Sequence, residues 1–487
     1  MTISLGSFYA ILSSLIFFSY WLLVVITTLR IITRRRTTSY IMSWLLLIYI
    51  IPFFGVILYF LFGEIYLGKT RMRRAQKQQP QISQFIYQLC QYPQIFSPKV
   101  SEVAKPIFQL CKHQTGLLGI TGNQVKLLSN ANDVFNNLVK DINNAKTSIQ
   151  MVFYIWSHRG RVKEIADALI SAVERNVKIH IMLDSAGSRH FLQSAEYTKL
   201  HQAGIQIIEV LKVNLFRFLF RRLDLRQHRK MIMIDNRICY TGSMNMVDPL
   251  YFKKYKKVGE WVDIMIRVKG PITMLMNVIY SSDWALETNR YLELPKPVNL
   301  NPNEQEHVLQ LVPSGPGYTE NMIHQVLLSA IYAAQKQIIL TTPYFVPSDD
   351  ILYALCAAGQ RGVEVIIILP KKNDSTMVKW ASRAFYTELL ISNVKIYEFQ
   401  HNLLHTKSVL IDCQVSLIGT VNLDMRSLWL NFEITAVIDD NEFAKEMNYL
   451  LAEYLTQSEK IELTTWLKRP YWQIILEHIF YLFSPLL

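Results

Sequence analysis

Two short stretches of this 487-residue chain place the same side chains in the same order. His228 and Lys230 are followed by Asp235, and His405 and Lys407 by Asp412, so each stretch reads HxKxxxxD. Seven residues beyond each Asp comes a glycine, opening Gly242-Ser243-Met244-Asn245 and Gly419-Thr420-Val421-Asn422. One such pattern is a weak signal and would ordinarily be a surface strand. Two, with the same glycine and asparagine downstream and at matching places in a repeat, are not accidental.

These residue types suit transfer of a phosphodiester, which is anionic and resists direct attack by water. A covalent phosphohistidine divides the transfer into two easier displacements. One neutral imidazole attacks phosphorus, and a second, protonated imidazole gives a proton to the leaving alcohol and later takes one from the incoming alcohol. Lys230 and Lys407, two residues beyond each His, share its strand face and neutralise the phosphoryl oxygens. The amides of Asn245 and Asn422 and the hydroxyls of Ser243 and Thr420 are expected to donate to the same phosphate. Neither a metal nor a cofactor is required. Each His needs an orienting acid, and the next apolar strand of each repeat offers one: Asp263 in WVDIMIRV and Glu433 in NFEITAVI. Asp235 and Asp412 fall at a strand-turn and read equally well as proton carriers or as structural hydrogen-bonders.

The elements that must position these groups repeat as well. IQMVFYIW (149–156) and IILTTPYFV (338–346) are buried-strand patterns, each followed by a helical stretch. VKIHIMLD (177–184) pairs with VEVIIILP (363–370), and IQIIEV (205–210) with VKIYEF (394–399). Strands alternating with helices predict an α/β fold whose mixed, largely parallel sheets are flanked by helices. The expected domains are a membrane anchor at 1–65, a basic connector at 66–115, and two repeats at 116–300 and 301–487.

The anchor rests on two uncharged stretches. Residues 8–29 are long enough to cross a bilayer, and a second span is expected at about 38–62. A cleaved signal peptide fits poorly, because no Lys or Arg precedes the first apolar run. Two spans leave the positive-inside rule nearly tied: four Arg between them against five Lys or Arg after the second. The five scattered cysteines, Cys90, Cys111, Cys239, Cys356 and Cys413, form no metal or disulfide pattern. They read as core residues and tilt the catalytic part toward the cytoplasmic face.

The formal charge of +13 calls for an anionic partner, lipid or nucleic acid. Residues 212–257 hold twelve Lys or Arg against three Asp, which suits an anionic headgroup surface. The first repeat also carries twelve extra residues just before His228. There Phe216, Phe218 and Phe220 interleave with Arg217, Arg221 and Arg222, the pattern of a loop meeting a bilayer. The apolar spans, and the absence of an aromatic-basic module, argue against nucleic acid. The C-terminal WLKRPYWQIILEHIFYLFSPLL (466–487) is too short to span and fits an interfacial helix or core packing.

The paired HKD signature is that of the phospholipase D superfamily, and the surrounding text resembles bacterial cardiolipin synthase. The matching stretches are GSMNMVDPLYF, LTTPYFVPSDD, ILPKKNDSTMVKWASRAFYTELL, LLHTKSVLID and GTVNLDMRSLWLNFEIT, together with LFGE after the second apolar stretch and the final SPLL. The resemblance covers essentially the whole chain. It implies two repeats packed as a pseudo-dimer, and a phosphatidyltransferase that condenses two phosphatidylglycerols into cardiolipin and glycerol. It assigns the active site to His228, Lys230, Asp235, His405, Lys407 and Asp412. Spacing does not choose the nucleophile; the superfamily analogy points to His228. The rival readings are a phospholipase D hydrolase or another phosphatidyltransferase, a tethered nuclease, and a non-catalytic binding module.

Overall fold

A computed structural model describes residues 5–34, 38–51, 53–64, 68–212, 224–294, 307–318 and 321–484. The described residues form two compact units, one of Leu5–Lys69 together with Asp224, the other of Thr70–Lys212 and the described residues from Leu225 on.

In the first unit, helix α1 (Leu5–Thr33) contains the stretch Ile11–Thr33, which is long and apolar enough to cross a membrane. Its flanks are exposed and apolar, with Leu15, Phe17, Phe18, Leu22 and Ile26 outward. The second stretch is not the continuous span expected from its composition. It is broken into α2 (Thr38–Ile50), α3 (Phe54–Leu58) and a π-helical turn (Tyr59–Gly63). The break coincides with Pro52, a residue without the N–H that a helical ladder needs. Phe53 then takes φ +63°. Beyond it the chain doubles back: a Cβ on Gly55 would lie 2.7 Å from the Leu47 carbonyl oxygen, so only glycine permits the approach.

The second unit is built on one 15-stranded sheet. The first repeat supplies β1 (Ile120–Leu128), β2 (Ser148–Phe153), β3 (Lys178–Asp184), β4 (Gln206–Val210), β5 (Met231–Ile234), β6 (Ile238–Gly242), β7 (Trp261–Val262) and β8 (Met265–Lys269). The second supplies β9 (His307–Ser314), β10 (Gln337–Thr341), β11 (Glu364–Pro370), β12 (Lys395–Phe399), β13 (Leu403–Leu404), β14 (Ser408–Ile411), β15 (Val415–Gly419), β16 (Glu433–Asp439) and β17 (Ser458–Lys460). Strand order β17-β12-β11-β10-β14-β15-β16-β9-β1-β8-β6-β5-β2-β3-β4 runs through both repeats, which join at β9-β1 by Ile120 opposite Leu309 and Asn123 opposite His307 with a register shift between, while β13 and β7 pair separately.

The sheet is mixed, but it is not largely parallel. Only β2-β3-β4 and β10-β11-β12 are parallel, joined by the anticipated helices such as Val162–Glu174 and Asp349–Gln360. The strands after each HxK motif instead form antiparallel hairpins, β5-β6 and β14-β15. Three-residue turns join them, 235–237 and 412–414, and the first two residues of each, Asp235-Asn236 and Asp412-Cys413, take positive φ, as a tight hairpin demands. Alternation of strands with helices therefore describes only the first three strands of each repeat.

The region expected as a connector is packed. Helix Lys69–Leu89 buries Phe85 and Leu89 in the core of the second unit, and Arg71 bonds Glu287 at 2.7 Å. The C-terminal helix Tyr471–Tyr481 packs on the second unit and leaves apolar side chains exposed on its other side. Glu477 is fully buried and accepts from Arg383 at 3.0 Å and Arg469 at 2.9 Å, while Tyr471, Trp472, Ile475 and Ile479 stay exposed. Of the cysteines, Cys111, Cys239 and Cys356 are buried as expected, whereas Cys90 is exposed.

Candidate active site

Each HxK segment runs extended into the start of a central strand, β5 or β14, and the segment just before it pairs with the other repeat. Leu403 and Leu404 of β13 lie opposite Trp261 and Val262 of β7. Gln227 bridges to Phe432, and the His228 amide donates to the Phe432 carbonyl at 3.0 Å. One residue further in each register, a histidine meets a carboxylate. His228 Nδ1 lies 2.8 Å from both carboxylate oxygens of Glu433, and His405 Nδ1 lies 2.7 Å from Asp263 Oδ1. The sequence singled out both acids; the structure places each across the repeat boundary from the motif that precedes it in the chain. With Nδ1 engaged by a carboxylate, Nε2 is the nitrogen left for chemistry.

The motif glycines make this closure possible. A Cβ on Gly242 would fall 2.3 Å from the Ile264 carbonyl oxygen, and one on Gly419 2.4 Å from that of Ile434. Their absence lets Ser243 and Thr420 donate their amides to those carbonyls at 2.8 and 2.9 Å. The hydroxyls, expected to meet the phosphate, go elsewhere. Ser243 donates to Asp263 at 2.6 Å, and Thr420 donates to Glu433. A hydroxyl has a single proton, so these two groups brace the orienting acids. Asn431 adds a third donor to Glu433 at 3.1 Å. The Asn245 side-chain oxygen accepts from the Ile155 amide at 3.0 Å, a bond that uses neither of its N–H donors.

Asp235 and Asp412 do not join the site. Asp235 ties its hairpin turn to the entry of β2 by accepting from the amides of Lys146, Thr147 and Ser148, and Asp412 ties its own to the entry of β10 through Gln335, Lys336 and Gln337. Burial raises the Asp235 pKa, but these donors outweigh it and hold the group below its ordinary value. Each Asp lies seven residues along extended chain from its His, about 20 Å away. The spacing of the motif reports the length of a hairpin arm. The six residues expected at the membrane, Phe216, Arg217, Phe218, Phe220, Arg221 and Arg222, lie outside the described residues.

The electrostatics follow from burial. His228 and His405 are almost wholly enclosed, and loss of solvent pushes both down to about 4. Lys230 and Lys407 lower His228 further, so the two motifs share one charge cluster. Burial also brings Lys230 down to about 7 and Lys407 to about 8. Each ammonium donates to the carbonyl of its own histidine, at 2.8 and 2.6 Å. Burial raises Glu433 and Asp263, but the adjoining histidines and lysines more than offset this, and both stay below the ordinary carboxylate range.

Several residues around the site carried no recognisable sequence signal. Trp261 packs its ring 4.1 Å from that of His405, and Tyr154 sets its edge toward His228 at 5.1 Å. Lys253 lies over Trp261 and pairs with Asp374 at 3.1 Å, which also accepts from Tyr344 at 2.7 Å. Arg229, between the two motif residues, is fully buried. It pairs with Asp283 of helix Ile272–Thr288, donates to the Glu433 carbonyl at 3.0 Å and lies over the rings of Tyr318 and Phe432. The second repeat has Thr406 at this place, bonded to Thr341 at 2.8 Å. Among the described residues, no group of three His, Cys, Asp or Glu is placed to hold a metal ion.

Comparison with known proteins agrees with this geometry. A family model described as cardiolipin synthase, PLD-like domain, matches residues 138–251 and 327–454. A second, phospholipase D-nuclease N-terminal, matches residues 21–64. Cardiolipin synthase A of Pectobacterium carotovorum subsp. carotovorum (strain PC1) is 52% identical over 99% of this chain and 100% of its own length. The protein of the same name from Pectobacterium atrosepticum is 53% identical over the same shares, and that of Serratia proteamaculans 51%. Among solved structures, phosphatidylserine synthase of Haemophilus influenzae Rd KW20 superposes with a TM-score of 0.58 at 14% identity. It covers 78% of this chain and 99% of that one, which is a likeness of fold.

Proposed function

The chain belongs to the cardiolipin synthase family of the phospholipase D superfamily, and from that premise we propose how its residues divide the reaction. The protein is a membrane-associated phosphatidyltransferase that makes cardiolipin from phospholipid. Phosphatidylglycerol is both donor and acceptor in our reading. His228 Nε2 attacks the phosphorus of one phosphatidylglycerol, and the bond to glycerol breaks as His405 gives that oxygen a proton. A phosphatidyl-histidine remains. A second phosphatidylglycerol then loses its terminal hydroxyl proton to His405, and its oxygen displaces His228 to give cardiolipin.

The observation that carries this reading is the crosswise pairing, each imidazole held at Nδ1 by a carboxylate with Nε2 left for chemistry. Charge completes the scheme. Without substrate, between about pH 4 and 7, two lysines balance two carboxylates and both histidines are neutral. An arriving phosphodiester adds a negative charge, which raises the pKa of the lysines and of one histidine. The substrate thereby draws in the proton that its own leaving group needs. Lys230 and Lys407 hold the phosphoryl oxygens, assisted by the amides of Asn245 and Asn422. Asp263 and Glu433 orient the histidines. The Phe216–Arg222 segment has a composition suited to contact with an anionic bilayer.

The test is incubation of the purified protein with phosphatidylglycerol alone. Glycerol and cardiolipin should appear one for one. Phosphatidic acid as the main product would replace this reading with a hydrolase, and DNA cleavage without lipid turnover with a nuclease.

A further inference from the structure

The contacts within the first unit fix a depth for each part of the second apolar stretch against α1. At its start, α2 leaves the same end of α1 that carries Arg30 and Arg34. At the turn, Phe53 stacks on Tyr20 with ring centroids 4.6 Å apart. Tyr20 lies ten residues before Arg30, about 15 Å deeper along the helix. The chain then returns. Tyr59 meets Trp44 at 5.4 Å, in antiparallel register with the close approach of Gly55 to Leu47. Finally Glu64 reaches Arg30 at 2.7 Å and Arg34 at 3.4 Å, back at the level where α2 began.

The lengths agree with this. Thirteen residues of α2 rise about 20 Å, and the ten from Phe54 to Gly63 about 15 Å. Neither arm reaches the roughly 30 Å of a bilayer's hydrocarbon core. The exposed residues near the turn, Tyr49, Ile50, Phe53 and Phe54, are those that hydrocarbon would accept. Across the break the Gly55 amide donates to the Ile51 carbonyl at 2.9 Å and the Ile57 amide to that of Phe53 at 3.0 Å, so part of the backbone stays paired.

We infer that the second apolar stretch is a re-entrant hairpin that dips into one leaflet and comes out where it went in. The chain crosses the membrane once, through α1, and everything after Glu64 emerges on the side of the Arg30–Arg36 cluster. This removes the tie left by two spans. Arg30, Arg34, Arg35, Arg36, Lys69, Arg71, Arg73, Arg74 and Lys77 all fall on one side, and the residues before Ile11 carry no Lys or Arg. The positive-inside rule then puts the catalytic repeats on the cytoplasmic face and the start of α1 on the opposite face. The inference rests on membrane association and is independent of the reaction.

The experiment uses the full chain with a short tag lacking Lys and Arg at each end, expressed in a Gram-negative host. A protease that digests both tags in detergent is added to intact spheroplasts. The N-terminal tag should be lost and the C-terminal tag retained. Two complete spans put both ends on one side, so loss of both tags or survival of both overturns the hairpin. Loss of the C-terminal tag alone overturns the assignment of side.

Discussion

Replacing Glu433 by Gln preserves size and removes one charge at the most heavily bonded atoms of the site. Glu433 is fully buried and accepts from His228, Thr420 and Asn431. A glutamine offers one acceptor oxygen, and its NH2 must face at least one group that also donates. One charge-assisted bond, worth about 1.5–3 kcal/mol, is lost, and a buried donor is left unpaired. A destabilisation of about 2–4 kcal/mol is expected. The effect on turnover follows from the tautomer. If the new amide donates to Nδ1, the His228 proton moves to Nε2, the atom assigned to attack. Loss of an orienting partner of this kind costs about 10–100-fold, and kcat should fall at the upper end of that range with little change in KM for a soluble short-chain phosphatidylglycerol. The crosswise pairing is checked separately by thermal unfolding of E433Q combined with H228N or H405N. A coupling of about 1–3 kcal/mol is expected with His228, and none with His405. Coupling to His405 in place of His228, or a kcat within threefold of the parent, would refute the argument.

Other outcomes follow from the same geometry. Asp235→Asn should lower the unfolding midpoint, by about 1–3 kcal/mol of lost amide bonding, and leave kcat within about threefold; a stable but inactive variant would return Asp235 to the catalytic set. Arg229→Met should destabilise by about 3–5 kcal/mol, and Asp283→Leu in the same chain should recover much of it, as measured by denaturation of each variant. With Lys230 near 7 and Lys407 near 8, kcat/KM should decline as pH rises through that interval, because neutral lysines no longer hold the phosphate; a flat profile to pH 9.5 would remove them from that role. Both histidines are neutral when folded and ordinary when unfolded, so the unfolded chain binds more protons between pH 6.5 and about 4, and stability should fall as pH is lowered through that window. Turnover on monomeric substrate should survive extensive EDTA, since two histidines and two lysines supply every charge and proton transfer invoked; abolition by EDTA and rescue by a divalent ion would contradict this.

The chemistry was legible because it depends on residue types at fixed offsets. His228, Lys230, His405 and Lys407 converge, and Asp263 and Glu433 were found from the need for an orienting acid. Which acid serves which histidine was not legible. Partnership is set by the β7-β13 pairing and the Gln227-Phe432 bridge, contacts between segments more than a hundred residues apart. The role of the Asp of each motif stayed open because a residue that ends a strand and one that moves a proton look alike in a string of letters. The sheet misled because helices between strands force parallel pairing only where they occur, and the motif strands are joined by three-residue turns. The second apolar stretch passed every test of composition for a span. Its doubling back depends on Gly55 lying against Leu47, which hydropathy does not register.

The shared sheet bears on how lipid arrives and leaves. Proteins that enclose a substrate between two lobes commonly open by swinging those lobes apart. Here the lobes share a backbone ladder through β9 and β1, and each holds the other's histidine by a buried carboxylate. A hinge at that seam would tear both. These bonds oppose a clamshell stroke. A four-tailed product must slide out sideways past surface segments, its chains staying in the leaflet, and the pace of that lateral escape belongs to those segments and to the fluidity of the surrounding lipid.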